Sequence, residues 1–262
     1  MNLSLYLDSG TWVHLLDGRT KVVCLLMLFV LALIFSDPSY LLGLTVLVLF
    51  LIIRARALAN LRKVWILLVL LFVYSTVLWP FFVQGQTTLA VLGNFVITME
   101  GVAHGVGMGL RLDVFLMSGI LLLSTTAIED FAQALHQLGL PRSVGFALSL
   151  AFRWVPTLLG SVTTIVQAQR ARGLDLASAT ILGKIRRYPP LVVPLIGHTL
   201  RQTNLLAMAL ESKGVGPGRG YRRAVGTKMH WRDYVTLMGM GLVLAFGIWL
   251  RMNGYGTLPS VG

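Results

Sequence analysis

Acidic residues are scarce in this chain: ten aspartates and glutamates face 22 lysines and arginines in 262 residues, and all charged residues together make only 12%. So little charge, beside 56% apolar residues and a mean hydropathy of +0.77, excludes an ordinary soluble domain and points to a membrane protein. Cysteine is nearly missing. The single Cys24 rules out an internal disulfide and a cysteine metal cluster, and its apolar surroundings make it an inert packing residue. There is no G-x-x-x-x-G-K-[ST] loop, so ATP is not expected to be bound and hydrolysed by that route. H-E-x-x-H and G-x-S-x-G are absent too, which removes the commonest metalloprotease and hydrolase signatures. The histidines, His14, His104, His136, His198 and His230, are scattered without ligand spacing and read as interfacial or internally satisfied. No apolar core preceded by a positive region opens the chain. Lys21 followed by Val22–Phe35 reads as a first span that stays in place.

The net charge of +12 is unevenly placed. Fourteen of the 22 cations lie between Arg142 and Arg232, where the only acids are Asp175 and Glu211. A basic segment beside apolar spans reads as a cytoplasmic face near anionic headgroups, or as a docking surface for an acidic protein. Charge alone would also suit nucleic acid, but no nucleic-acid-binding module is recognisable, and none is expected to bind.

In chain order, Met1–Thr20 is polar to amphipathic, with Trp12 and Leu15 able to lie along an interface. Val22–Phe35 and Tyr40–Ile53 are apolar runs around an Asp37-Pro38 turn, read as a tight helical hairpin with its turn outside. Each is shorter than the roughly 20 residues of a span, a deficit that Lys21, Arg54 and Arg56 can offset by snorkelling. Arg54, Arg56, Arg62 and Lys63 make a cytoplasmic loop by the positive-inside rule. Val64–Val83 is the third span. Residues 84–100 form an external loop with a short strand-like or re-entrant piece, and Gly101–Ile128 is the fourth span. Gly101, Gly105, Gly107 and Gly109 at its start allow close helix packing. Thr126 and Glu129 have capping-box spacing ahead of an amphipathic helix to Leu138. Ser143–Arg172 reads as a long helix bent at Pro156, Asp175–Tyr188 as a polar linker, and Pro194–Lys213 as a second long helix. Gly214–Lys228 is rich in glycine and arginine, and Tyr234–Leu250 is the last span.

The expected fold is therefore an all-α integral membrane protein of about five transmembrane helices with a cytoplasmic domain of long amphipathic helices. The expected division is a four-span bundle over 1–126, a coupling segment over 127–232 and a last span over 233–262, with the N-terminus inside.

The two long helices of the basic segment end alike, in Gln169-Arg170-Ala171-Arg172-Gly173 and Leu210-Glu211-Ser212-Lys213-Gly214. Each places a cation between two small residues and stops at glycine. A last-turn cation suits the negative end of the helix dipole and glycine supplies a left-handed cap, so one such end needs no function. Two, each after a proline-started apolar run inside a membrane protein, point to plugs for a partner. Elsewhere, Glu100 and His104 are four apart and could share a helix face. Arg111 and Asp113 carry charge inside the fourth span, where charge is costly. Two apart, they face different sides and are expected to meet other helices in a bundle contact, a transport pathway being the alternative. Arg153 reads as an interfacial anchor or partner contact.

Gly139-Leu140-Pro141-Arg142, Phe152-Arg153-Trp154-Val155-Pro156 and Ala168 to Gly173, with Ala207 to Gly214, resemble the transmembrane T component of energy-coupling factor (ECF) transporters. His14-Leu15-Leu16-Asp17-Gly18-Arg19-Thr20-Lys21 is similar to that family's opening motif, with Gly18 where proline is usual. The resemblance covers nearly the whole chain. It implies a non-catalytic coupling subunit in a prokaryotic plasma membrane, with the coupling segment cytoplasmic. Its partners would be two ABC-type ATPases, which bind the ATP and Mg, and a membrane S component, which binds a vitamin or metal ion. No cofactor is expected on this chain. Carried over, Ala171, Arg172 and Gly173 form one ATPase-docking end and Ser212, Lys213 and Gly214 the other, with Arg153, Arg170 and Glu211 as supporting contacts. Lys213 departs from the usual arginine and lacks its planar fork. The rivals are a secondary transporter or membrane enzyme built on Arg111 and Asp113, and a passive scaffold. A convergent polar set for an enzyme cannot be assembled, and paired broken spans are not found.

Overall fold

The computed structural model describes residues 11–83, 87–92, 95–174, 188–214 and 229–256. Among these are eight α-helices: α1 Gly18–Ile34, α2 Pro38–Arg54, α3 Leu58–Leu78, α4 Met99–Thr125, α5 Ile128–Gln137, α6 Arg142–Ala171, α7 Pro189–Ser212 and α8 Trp231–Met252. A 3₁₀ turn, Trp79–Phe81, ends α3, and strands β1 Thr88–Leu92 and β2 Phe95–Thr98 pair antiparallel before α4. The expected strand-like piece of the loop over 84–100 is this two-stranded sheet. The linker over 175–187, the glycine- and arginine-rich stretch over 215–228 and the first ten residues lie outside the described residues.

The chain divides into two compact units, Met1–Leu140 with Thr227–Gly262, and Pro141–Gly226. The amphipathic helix α5 belongs to the first, because its small face packs on α1: a Cβ at Gly18 would stand 3.0 Å from the Ala134 Cβ and 3.1 Å from the Asp130 carbonyl oxygen. The division between the two units falls after α5, between Leu140 and Pro141.

Among the described residues, four helices are long and apolar enough to cross a membrane: Leu58–Phe81, Met99–Thr125, Ser143–Ala171 and Trp231–Met252. The apolar α2 and its partner α1 have 17 residues each, about 25 Å of helix at 1.5 Å per residue, just short of a hydrocarbon core. Hydropathy therefore counts α6 among the possible spans, where the charge pattern assigned it to the coupling segment.

The first unit is held together by α4. Its Gly105 and Gly109 turn bare backbone toward α3, and Gly101, four residues earlier, toward Pro80 of the 3₁₀ turn and Val83. A Cβ at Gly105 would come within 3.2 Å of the Ser75 and Thr76 carbonyl oxygens, and one at Gly109 within 3.3 Å of the Phe72 Cα and carbonyl oxygen. The Ser75 hydroxyl donates to the Gly105 carbonyl at 3.1 Å across this seam. Where lipid removes the hydrophobic drive between helices, such close van der Waals contact is what joins them. At its far end the seam carries a buried hydrogen bond, Asn60 Nδ2 to Ser124 Oγ, 2.8 Å. On another face of α4, Val114 and Met117 pack with Leu28, Leu41, Leu44, Val48 and Ile52 of α1 and α2.

Arg111 resolves the question of its partner. Its Nε donates to the Ala32 carbonyl at 2.9 Å and a terminal nitrogen to the Phe35 carbonyl at 2.8 Å. These carbonyls lie at the C-terminal end of α1, so one cation satisfies orphan acceptors at the negative end of a helix dipole. On the same turn, the Gly256 carbonyl accepts from the Ser36 and Asp37 amides at 3.0 and 3.2 Å. Gly256, at φ +76°, lies so close to the Phe35 ring that a side chain would collide with it. Arg111 is thus spent on the bundle, as expected of a structural contact between helices.

Two helix starts differ from expectation. Thr126 does not cap α5; it is the C-cap of α4, its amide bonded to the Leu122 carbonyl at 2.9 Å, and Ala127 precedes α5 without a side-chain cap. The first turn of α5 instead holds Glu129 and Asp130, whose charges suit its dipole. Helix α7 starts at Pro189, five residues before Pro194, since prolines 189 and 190 occupy the first positions, where no amide partner is needed. Both α6 and α7 run on through an internal proline, Pro156 and Pro194.

Gly109→Leu should wedge α4 from α3 and cost about 1–3 kcal/mol, while Gly119→Leu, with open space at its Cβ, should cost less. Apparent Tm in detergent micelles checks the difference.

Candidate docking site at two helix ends

Helix α6 ends in a Schellman motif. Arg172 is the C-cap and Gly173 follows at φ +87°; the Gly173 amide bonds to the Arg170 carbonyl and the Leu174 amide to the Gln169 carbonyl, both at 3.0 Å. Helix α7 ends the same way as far as it is described: Lys213 is the C-cap, Gly214 has φ +74°, and the Gly214 amide meets the Glu211 carbonyl at 2.9 Å. A Cβ at either glycine would touch nothing within 4 Å, so the backbone conformation and not crowding selects glycine. Gly139 after α5 and Gly254 after α8 close their helices by the same pair of bonds. The glycine is therefore this protein's ordinary way of stopping a helix. What sets the α6 and α7 ends apart is the exposed cation between small residues.

Ala171, Arg172, Gly173, Ser212 and Lys213 are exposed, and Gly214 partly so. Neither cation has a hydrogen bond or ion pair among the described residues, and the Ser212 hydroxyl turns back to the Ala209 carbonyl at 2.9 Å. A free cation at the negative end of a helix, held on a rigid cap, suits insertion into an acidic groove. Of the three supporting residues, Arg170 and Glu211 stand exposed in the last turns beside the motifs. Arg153 does not join them: nineteen residues upstream of Arg172 on one continuous helix, it is about 28 Å away.

The two ends are also far from each other. Helix α6 packs against α7, and the Gln169 side-chain amide donates to the Pro190 carbonyl at 3.1 Å, which ties the end of α6 to the start of α7. Lys213 lies at the other end of α7, whose 24 residues span about 36 Å. One narrow groove cannot hold both ends.

Glu100 and His104 go to different partners. The Glu100 carboxylate accepts from the Thr87 hydroxyl at 2.8 Å and from its amide, fastening β1 to α4, while the His104 ring stands edge-on to Trp79 with centroids 5.1 Å apart. Among the described residues no group of three or more histidine, cysteine, aspartate or glutamate side chains could hold a metal.

Sequence reasoning passed over Asp233. This aspartate is 1% exposed, and its two oxygens accept from the Asp17 and His230 amides, each at 2.8 Å. An acid three residues after His230, in the first turn of the last helix, was the available signal.

Several apolar helices long enough to span a bilayer, two of them packed through bare glycine backbone, define a multi-pass membrane protein. Its sequence matches the family CbiQ, described as cobalt transport protein, over residues 9–222. It is 28% identical to the energy-coupling factor transporter transmembrane protein EcfT of Streptococcus thermophilus, covering 92% of this chain and 96% of that one. To the EcfT of Heliobacterium modesticaldum it is 30% identical, over 96% and 98% of the two chains. The chain belongs to the CbiQ/EcfT family and is a transmembrane (T) component of ECF transporters.

Gly173→Ala should strain the α6 cap by roughly 1–2 kcal/mol, whereas Gly160→Ala, in open space within the helix, should stabilise it by up to about 1 kcal/mol. Amide exchange at residues 168–174 should speed up in the first variant and slow in the second.

Proposed function

We propose that this subunit couples ATP hydrolysis to uptake by lodging its two cationic helix ends in two separate ABC-type ATPases. The observation that carries this reading is the pair of like-built, exposed ends, Ala171-Arg172-Gly173 and Ser212-Lys213-Gly214, set about 36 Å apart by the length of α7. Each presents one cation on a rigid cap, so each calls for its own receptor. ATP and Mg reside on the ATPases. When those close on ATP, both ends move, and α6 and α7, packed together, pass the motion to a membrane S component that holds a vitamin or metal ion. The coupling segment then lies at the cytoplasmic face of a prokaryotic plasma membrane. The positive-inside rule supports this, since the same segment carries most of the chain's cations.

Arg172 can grip a carboxylate at two points, whereas Lys213 offers a point charge, so the first end should be the stronger plug. In a desolvated groove, truncating one side of such a pair costs about 2–5 kcal/mol, against about 0–1 kcal/mol for an exposed pair.

Co-expression with an ATPase pair and purification through a tag on the ATPase tests the reading. Wild type should co-purify, and Arg172→Glu/Lys213→Glu should not; equal recovery would reduce both motifs to helix caps. Arg172→Glu should also lower uptake more than Arg222→Glu or Arg223→Glu at equal membrane expression, and equal losses would count against specific docking.

A further inference from the structure

The segment that carries the docking ends leaves the bundle after α5 and re-enters it before α8, so it is rooted at residues 137–140 and 229–233. Both roots meet the start of α1. At the exit, Arg19 Nε donates to the Gln137 side-chain oxygen. At the return, the Asp17 amide donates to one Asp233 oxygen at 2.8 Å while the His230 amide donates to the other at 2.8 Å. The Asp17 side chain in turn caps α1 through the Arg19 amide at 3.1 Å. Lys21, one turn on, donates to the Thr125 carbonyl at the end of α4 at 2.7 Å and to the His14 carbonyl at 3.1 Å.

From this arrangement we infer that Asp17, Arg19 and Lys21 form a two-armed anchor that clips both roots of the coupling segment to α1 and α4, and that Gln137 and Asp233 are its positioning residues. Two clips give a force on the segment two places at which to reach the bundle. The inference deepens the coupling reading, but the clips themselves can be tested without it. Asp233→Asn is the sharp probe. The side chain keeps its shape, yet one of its two acceptor positions becomes an N–H facing an amide donor. Gln137→Ala opens only the other arm.

Hydrogen exchange on the chain alone in lipid nanodiscs is the first measurement. Asp233→Asn should speed exchange over residues 229–236 on the order of tenfold and leave 41–52 and 101–118 at wild-type rates. Gln137→Ala should do so over 128–140 only. Unchanged exchange at the roots, or equal loosening throughout the bundle, overturns the anchor. A second measurement adds the ATPase pair and ATP. In wild type, ATP should alter exchange both within 141–174 and within α1; in the Asp233→Asn/Gln137→Ala double variant the change should stop at the roots although the ATPases still co-purify. A change in α1 that survives in the double variant overturns the coupling role of the anchor. Loss of co-purification from wild type itself would instead overturn the docking reading, and the nanodisc result would stand apart from it.

Discussion

The guanidinium of Arg111 is the contact on which the bundle most depends. The last carbonyls of α1 have no partner within their own helix and need a donor from elsewhere. Arg111 reaches across from α4 to the Ala32 and Phe35 carbonyls, and the Gly256 carbonyl takes the Ser36 and Asp37 amides of the same turn. The tight turn between two short helices thereby has its polar groups met. The charge is spent on the dipole of a helix end.

That contact also fixes what α4 can do. Held to α1 by Arg111, α4 offers its glycine groove to α3, its Val114 and Met117 to α1 and α2, and its last carbonyls to Lys21. One helix thus touches three neighbours by three kinds of interaction: charge on carbonyl, backbone on backbone and apolar packing. The first is directional and sets register, whereas the others tighten what it has positioned.

A good part of this was legible in the chain. Apolar runs, turn prolines and basic loops located most helices, because each signal is local and the bilayer leaves the backbone few options. The glycines of α4 announced close packing, and the small-cation-glycine ends stood out without coordinates. Other features were hidden for physical reasons. Thr126 had the spacing of a cap for α5, but its amide was already committed to Leu122 of α4, a competition between two helices that spacing does not reveal. The start of α7 was set at Pro194, yet proline fits as well at the first turn, and prolines 189 and 190 took that role. Arg153 was grouped with the motif by pattern but stands about five turns away on the same helix.

The sequence by itself determined the solvent this protein inhabits, the helices it forms and the two cationic ends it exposes, since hydropathy, capping and charge act over a few residues. Only the tertiary structure decided how those pieces are used. It put Asp233, 216 positions along the chain, onto the amide of Asp17. It spent Arg111 on α1, and it assigned α5 to the bundle by seating its small residues on Gly18. Such pairings join residues far apart in sequence, and their partners are chosen by packing geometry, which no local pattern encodes.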